Sequence, residues 1–227
     1  LAEATVGVSM WKPSTANRVD DRGTVSVGRP FPGVRVHILD DDDRPLPPGS
    51  PGHIVVESPA NTRGYFRNPA ATKALFTPSG AVRTGDLGYT DSDGYLYVLG
   101  RAKDVIIQAG RSVYPEEVEE VVNAVPGVRS SAAIGVDHGR VEGEQVMVLA
   151  EVRPGAVPDD AARRSCVMAI ARGVHERFGF RPGRVHLVRP RTIPLTHNGK
   201  LRRGELRRAY LDGSLSGDFL YPLRAAS

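Results

Sequence analysis

Residues 100–119 read Gly100-Arg101-Ala102-Lys103-Asp104-Val105-Ile106-Ile107-Gln108-Ala109-Gly110-Arg111-Ser112-Val113-Tyr114-Pro115-Glu116-Glu117-Val118-Glu119, and the chain changes character across them. The first five residues form a charged connector. Val105-Ile106-Ile107 is a short apolar strand, and Gly110 with Arg111 marks a bend. Pro115 followed by Glu116 and Glu117 starts a helix: proline has no N–H to lose at the first position, and carboxylates favour the positive end of the helix dipole. Val118, Val121, Val122 and Val125 then give that helix a buried stripe, with Gly127 beyond its end.

Working backward, the chain alternates apolar and polar residues at Val34, Val36 and Ile38 and again at Ile54 and Val56, the period of half-buried strands. The loop between them holds Asp40-Asp41-Asp42-Asp43 and Pro45-Leu46-Pro47-Pro48-Gly49 and reads as a solvated hairpin loop, since the acidic run lacks ligand spacing. Asp91-Ser92-Asp93-Gly94 reads as a second hairpin turn leading into Tyr95–Val98, because the glycine and glutamate of a calcium loop are misplaced. Working forward, strands are expected at 132–136, 145–152 and 185–188. A long helix should open at Pro158-Asp159-Asp160 and stop at Gly179, with Val167, Ile170, Ala171, Val174 and Phe178 on one face. Cys166 lies near that stripe and reads as a core residue. A short helix near 204–211 closes the set. The expected fold is α+β: a β-rich, barrel-like unit over 1–100, then a compact α+β domain over 101–227, with the boundary at Gly100–Asp104.

The 227 residues suffice for one large or two small domains, and 40% hydrophobic with 25% charged residues is ordinary for a globular protein. No apolar run approaches the roughly 18 residues of a membrane span, and no signal peptide is visible at Leu1–Thr5. The single cysteine, Cys166, excludes an internal disulfide and a cysteine-cluster metal site. A cytoplasmic location is expected. The net charge of +4 is modest, but Arg189, Arg191, Lys200, Arg202, Arg203, Arg207 and Arg208 crowd one stretch suited to phosphates or an acidic partner. Arg207 and Arg208 read as a solvated helix face. Nucleic-acid binding is not expected, since no aromatic interleaving or DNA-binding motif accompanies the charge.

Three clusters carry chemistry. In Arg83-Thr84-Gly85-Asp86-Leu87-Gly88, an aspartate at a turn can accept two hydrogen bonds from a vicinal diol such as a ribose. Gly100–Asp104 with the following Val105–Arg111 joins a charged connector to a glycine suited to close backbone approach. In Pro194-Leu195-Thr196-His197-Asn198-Gly199-Lys200-Leu201, a lysine on a glycine-containing loop can reach a phosphate or a developing charge.

Taken with Leu1-Ala2-Glu3-Ala4-Thr5, Gly64-Tyr65-Phe66 and Tyr114-Pro115-Glu116-Glu117-Val118-Glu119, these pieces resemble, in order and almost from end to end, the adenylate-forming superfamily. That superfamily comprises acyl-CoA synthetases, fatty acyl-AMP ligases, luciferases and nonribosomal-peptide adenylation domains. The resemblance implies a chain that begins late in the large AMP-binding N-terminal domain, ends in the small mobile C-terminal domain, and is inactive in adenylation alone. It implies ATP and Mg2+ as cofactors, a carboxylic acid (fatty or polyketide-like) as substrate, and coenzyme A or a carrier protein's phosphopantetheine as acceptor. The remainder of the N-terminal domain becomes a further partner. Glu3 corresponds to the acidic residue near the ATP-bound magnesium, Asp86 to the carboxylate that binds both ribose hydroxyls, and Arg101 to a second nucleotide contact. Lys103 corresponds to the hinge, Lys200 to the adenylation lysine, and Gly110 to the loop lining the pantetheine tunnel. Ala2 and the stretch Gly110–Pro115 lean toward the fatty acyl-AMP ligases, but Val6–Val27 is too short for their insertion, so the acceptor stays open. His53 departs from the acidic residue usual there. Two other readings stand: a nonribosomal-peptide adenylation domain for an amino or aryl acid, and a non-adenylating binding or thiolation module. The tail Tyr221–Ser227 carries no carrier-protein serine motif.

Overall fold

The computed structural model describes residues 2–4, 8–10, 17–21, 23–137, 143–215 and 219–222. Leu1 and Thr5 of the first motif, much of Val6–Val27, and 223–227 of the tail lie outside them. The chain divides into two compact units, Leu1–Lys103 and Asp104–Ser227.

In the first unit, a short helical turn at Ala2–Ala4 precedes a two-stranded antiparallel ribbon, β1 (Ser9–Met10) and β2 (Arg29–Pro30). Strands β3 (Arg35–Leu39) and β4 (Gly52–Glu57) follow, then helix α1 (Pro69–Leu75), β5 (Val82–Thr90) and β6 (Leu96–Arg101). β3 to β6 form an antiparallel sheet in sequence order that stays open and does not close into a barrel. The pleat sends Ile38, Ile54, Val56 and Leu96 into one core with Ala4, while Leu39 and Val55 pack on the other side with Ala81. Both polar segments read as turns are turns. Asp40 accepts the backbone N–H of Asp42 and Arg44, and Asp91 accepts those of Asp93 and Tyr95 while pairing with Arg18 at 2.8 Å. His53 has a partner in the first of these turns, Asp41, at 2.9 Å. α1 has no counterpart in the sequence reading. It is short, but Asn68 caps it by accepting from the Ala71 N–H and Pro69 starts it.

The second unit opens with the final residue of a helical turn, Ala102–Asp104. A small hairpin, β7 (Ile106–Gln108) and β8 (Arg111–Val113), leads to α2 (Pro115–Asn123). Then come β9 (Val128–Asp137), β10 (Glu144–Val152), α3 (Asp160–Phe178), β11 (Arg184–Val188), α4 (Arg203–Leu211) and β12 (Phe219–Pro222). The sheet order is β12-β11-β10-β9, with β10 and β11 parallel and the other pairs antiparallel, so β9 is an edge. Alternation along β10 divides two cores: Val146, Val148, Ala150 and Val152 face α2 and α3, while Met147 and Leu149 face α4. Asp159 caps α3 by accepting from the Ala162 N–H, and Gly179, at φ +77°, ends it. Cys166 is buried in the first core. No described helix is long and apolar enough to cross a membrane.

Candidate active-site residues

The stretch read as a turn around Asp86 is the middle of β5. Asp86 stands opposite Arg101 in the β5–β6 register, and that register slips at Leu87/Gly88. The slip is a bulge, a device that re-aims side chains. Its geometry needs glycine twice. Gly85 has φ +75°, and a Cβ on Gly88 would lie 2.2 Å from the Tyr97 carbonyl oxygen. Thr84 is buried below the bulge, donating its hydroxyl to the Ile54 carbonyl at 2.9 Å and accepting the Asp86 N–H at 3.0 Å. Arg101 donates to the Thr84 carbonyl at 3.0 Å and its Nε lies 3.1 Å from Asp86 Oδ1. Burial pushes the Asp86 carboxyl above the usual carboxylate range, and Arg101 opposes the shift. The result is a half-buried carboxylate with an arginine beside it, a pair suited to a polyhydroxyl or anionic ligand.

Glu3 belongs to the same unit. Tyr65 donates its hydroxyl to Glu3 Oε1 at 2.8 Å, and Thr62 N–H donates to the Glu3 carbonyl at 2.7 Å. The Tyr65 bond holds the Glu3 carboxyl below its ordinary range. Tyr65 is fixed in turn: its N–H donates to Thr72 Oγ1 at 2.9 Å, and a Cβ on the preceding Gly64 would lie 2.5 Å from Thr72 Cγ2. The sequence drew attention to Gly64-Tyr65-Phe66 without giving Tyr65 this part. Among the described residues no group of three or more His, Cys, Asp or Glu is placed to hold a metal. A magnesium ion at Glu3 would therefore have to draw its other ligands from phosphates and water, which that cation commonly does.

In the second unit, the bend read at Gly110 is the tip of the β7–β8 hairpin, and Arg111 opens β8. Ala109 and Gly110 have φ +49° and +74°, the two positive values of a type I′ turn. Beside it lies a cleft of about 420 Å³ lined by residues that include Gln108, Arg111, Ser112, Glu117, Phe178 and Phe180. Lys200 occupies an exposed loop closed on itself. Thr196 N–H donates to the Lys200 carbonyl at 2.7 Å, Lys200 N–H to Thr196 Oγ1 at 3.0 Å, and Gly199 turns the chain at φ +78°. His197 is exposed on the same loop. Lys103 is exposed at the last position of the first unit.

The basic stretch is more structural than its composition implies. Arg207 and Arg208 are exposed, as expected of a solvated helix face, while Arg207 also donates from Nε to the Gly135 carbonyl at 2.7 Å and lies 3.5 Å from Glu144. Arg203 is buried against Glu119, with Glu116 at 3.1 Å and Asp104 at 3.8 Å, and donates to the Ala133 carbonyl at 2.7 Å. Burial works against its charge, yet Glu119 and its neighbours raise its pKa, so the guanidinium stays protonated. A buried ionic hub cannot be told from a surface arginine by composition alone.

Residues 1–66 match the family model of AMP-binding enzymes, and residues 117–200 match that of the AMP-binding enzyme C-terminal domain. Sulfoacetate–CoA ligase of Cupriavidus necator is 39% identical over 163 residues, which is 70% of this chain and 32% of that protein. Fatty acid–[acyl-carrier-protein] ligase ScoC of Streptomyces coeruleorubidus is 34% identical over 183 residues, 80% of this chain and 33% of that one. The crystal structure of ATP-bound MatB from Rhodopseudomonas palustris superposes with a TM-score of 0.71 at 36% identity, covering 82% of this chain and 36% of its own. The chain therefore spans about a third of the length of these curated relatives.

Proposed function

This chain belongs to the adenylate-forming superfamily, and from that membership we propose that it supplies part of an ATP-dependent ligase that joins a carboxylic acid to a thiol through an acyl-adenylate. The observation that carries the reading is the Asp86–Arg101 pair, held over a glycine-dependent bulge at 3.1 Å, in a chain that also presents Lys200 on a closed, exposed loop. Asp86 accepts the two ribose hydroxyls of ATP, and Arg101 turns from its partner toward the nucleotide. Glu3, whose carboxyl the Tyr65 hydrogen bond holds below its ordinary range, would hold a magnesium ion, and that ion would screen the phosphates. Lys200 brings a cation to the acid's carboxylate and the α-phosphate. The acid's oxygen attacks that phosphorus, the bond to the bridging oxygen breaks, and pyrophosphate leaves. Two anions must meet for this step, so a positioned ammonium lowers its barrier.

Lys103, between the two units, is the hinge in this reading. Rotation there withdraws Lys200 and presents the Gly110 hairpin to the incoming thiol of coenzyme A or a carrier protein. The thiol sulfur attacks the acyl carbon and AMP departs. A fatty or polyketide-like acid is the proposed substrate class, supported by the fatty-acid ligase among the relatives. Product mass spectrometry on the full-length protein tests the reading, with ATP, magnesium, a panel of acids, and either coenzyme A or a carrier protein. Acyl-adenylate that persists with coenzyme A and disappears with carrier protein assigns the second acceptor; acyl-CoA assigns the first. Absence of both acyl-adenylate and thioester from a panel spanning short, fatty, aryl and amino acids would sink the proposal.

A further inference from the structure

The loop that presents Lys200 makes only local bonds at its tip, yet both ends of its stem are tied to buried charge. On the incoming side, Ile193 is buried and its N–H donates to Glu151 Oε1 at 3.0 Å. Glu151 is 3% exposed on β10. Its other oxygen accepts from Arg129 Nη1 and Ser130 Oγ, each at 3.1 Å. On the outgoing side, Arg202 N–H closes the stem on the Pro194 carbonyl at 2.9 Å, and the next residue is Arg203. Arg203 reaches the edge strand β9 at the Ala133 carbonyl, and Glu119 of α2 accepts the Ala133 N–H at 2.8 Å. Together the Glu119–Arg203 pair satisfies Ala133 as a neighbouring strand would. Arg207, one turn further along α4, repeats the contact at Gly135.

We propose that Glu151 and Arg203 are positioning residues for adenylation, fixing the direction in which the Lys200 loop leaves the sheet; this rests on the adenylation reading of Lys200. An apolar pair would pack α4 against the sheet as well, and isolated buried ion pairs add little stability over apolar replacements. What directional bonds add is register. Hydrogen bonds at both stem ends stop α4 from sliding or turning along β9, and a displacement of about 1 Å at a reacting group can cost about 100-fold in rate. The hydrogen bonds of Lys200 are backbone bonds to Thr196 of the same exposed loop, so they shape the loop without tying it to the sheet.

The test uses the full-length protein with Glu151→Ala, Glu151→Gln, Arg203→Lys and Lys200→Ala. Three quantities are read: pyrophosphate release with an acid that supports it in the wild type, transfer of the corresponding synthetic acyl-adenylate to pantetheine, and hydrogen exchange at the amides of Ile193 and Arg202. Glu151→Ala and Arg203→Lys are expected to lower kcat for pyrophosphate release about 10-fold or more. The KM for ATP should hold, transfer to pantetheine should stay within about twofold of wild type, and the two amides should exchange faster. Glu151→Gln keeps an acceptor oxygen for Ile193 and should restore most of the rate. Equal losses in both half-reactions, or unchanged pyrophosphate release, overturn the proposal. If Glu151→Ala does not fold, the milder Arg203→Lys decides by the same two rates. Wild-type pyrophosphate release from Lys200→Ala overturns the adenylation reading itself, and this proposal with it.

Discussion

Asp86 shows how one residue type acquires a task from its surroundings. The sequence displays an aspartate between glycines; the fold adds the Thr84 hydroxyl below it, Arg101 beside it and burial enough to raise its pKa. Asp86→Asn keeps the shape and removes the charge. Hydrogen bonds to a charged group contribute about 1.5–3 kcal/mol, so kcat/KM for ATP should fall by about 10- to 100-fold, mainly through KM, in steady-state pyrophosphate release. His186 illustrates a residue whose role is structural. It is buried against Phe219, with ring centroids 4.2 Å apart, its Nε2 lies 3.2 Å from the Tyr210 hydroxyl, and burial lowers its pKa to about 4. The folded state thus binds the proton less readily than the unfolded chain. Its contribution is complete above about pH 6.5 and is lost as the pH falls toward 4, amounting to about 3 kcal/mol at most. Urea unfolding at pH 7.5 and 4.5 should show a smaller acid loss in His186→Phe than in wild type; equal losses would contradict this. The sequence contained no signal for His186, since depressed basicity follows from the neighbours that tertiary packing supplies.

Elements were legible where their signals are local. The start of α2 at Pro115 and the cap of α3 at Asp159 are written in adjacent residues, as is the Gly199 turn that presents Lys200. The β5 bulge was not legible, because whether Thr84-Gly85-Asp86 turns or continues a strand depends on pairing with β4 and β6. Arg203 was hidden for the same reason: its partners Glu116 and Glu119 lie more than 80 residues away. The caps of α3 are the simplest place to test local encoding. Asp159→Ala removes the acceptor for Ala162 N–H, and Gly179→Ala forces a Cβ into a left-handed position. Each should cost about 1 kcal/mol. The two changes are far enough apart in the helix to add, so the double variant should lose about 2 kcal/mol in urea denaturation. A double variant no weaker than either single one would show that the helix ends are held by something else.

On the scale of the whole molecule, the residues proposed to act are divided between two units. Glu3, Asp86 and Arg101 belong to the unit that ends at Lys103, whereas Gly110 and Lys200 belong to the unit that begins at Asp104. Each unit has its own core, as separate domains do. Division of this kind explains why the motifs are scattered along the chain and why none is diagnostic by itself. The most direct measurement is isotope exchange between pyrophosphate and ATP in the full-length protein, with and without the acid, for wild type and Lys200→Ala. Adenylate formation predicts acid-dependent exchange that falls by about 100-fold or more when the ammonium is removed. Exchange that needs no acid, or that proceeds equally well in Lys200→Ala, would contradict it.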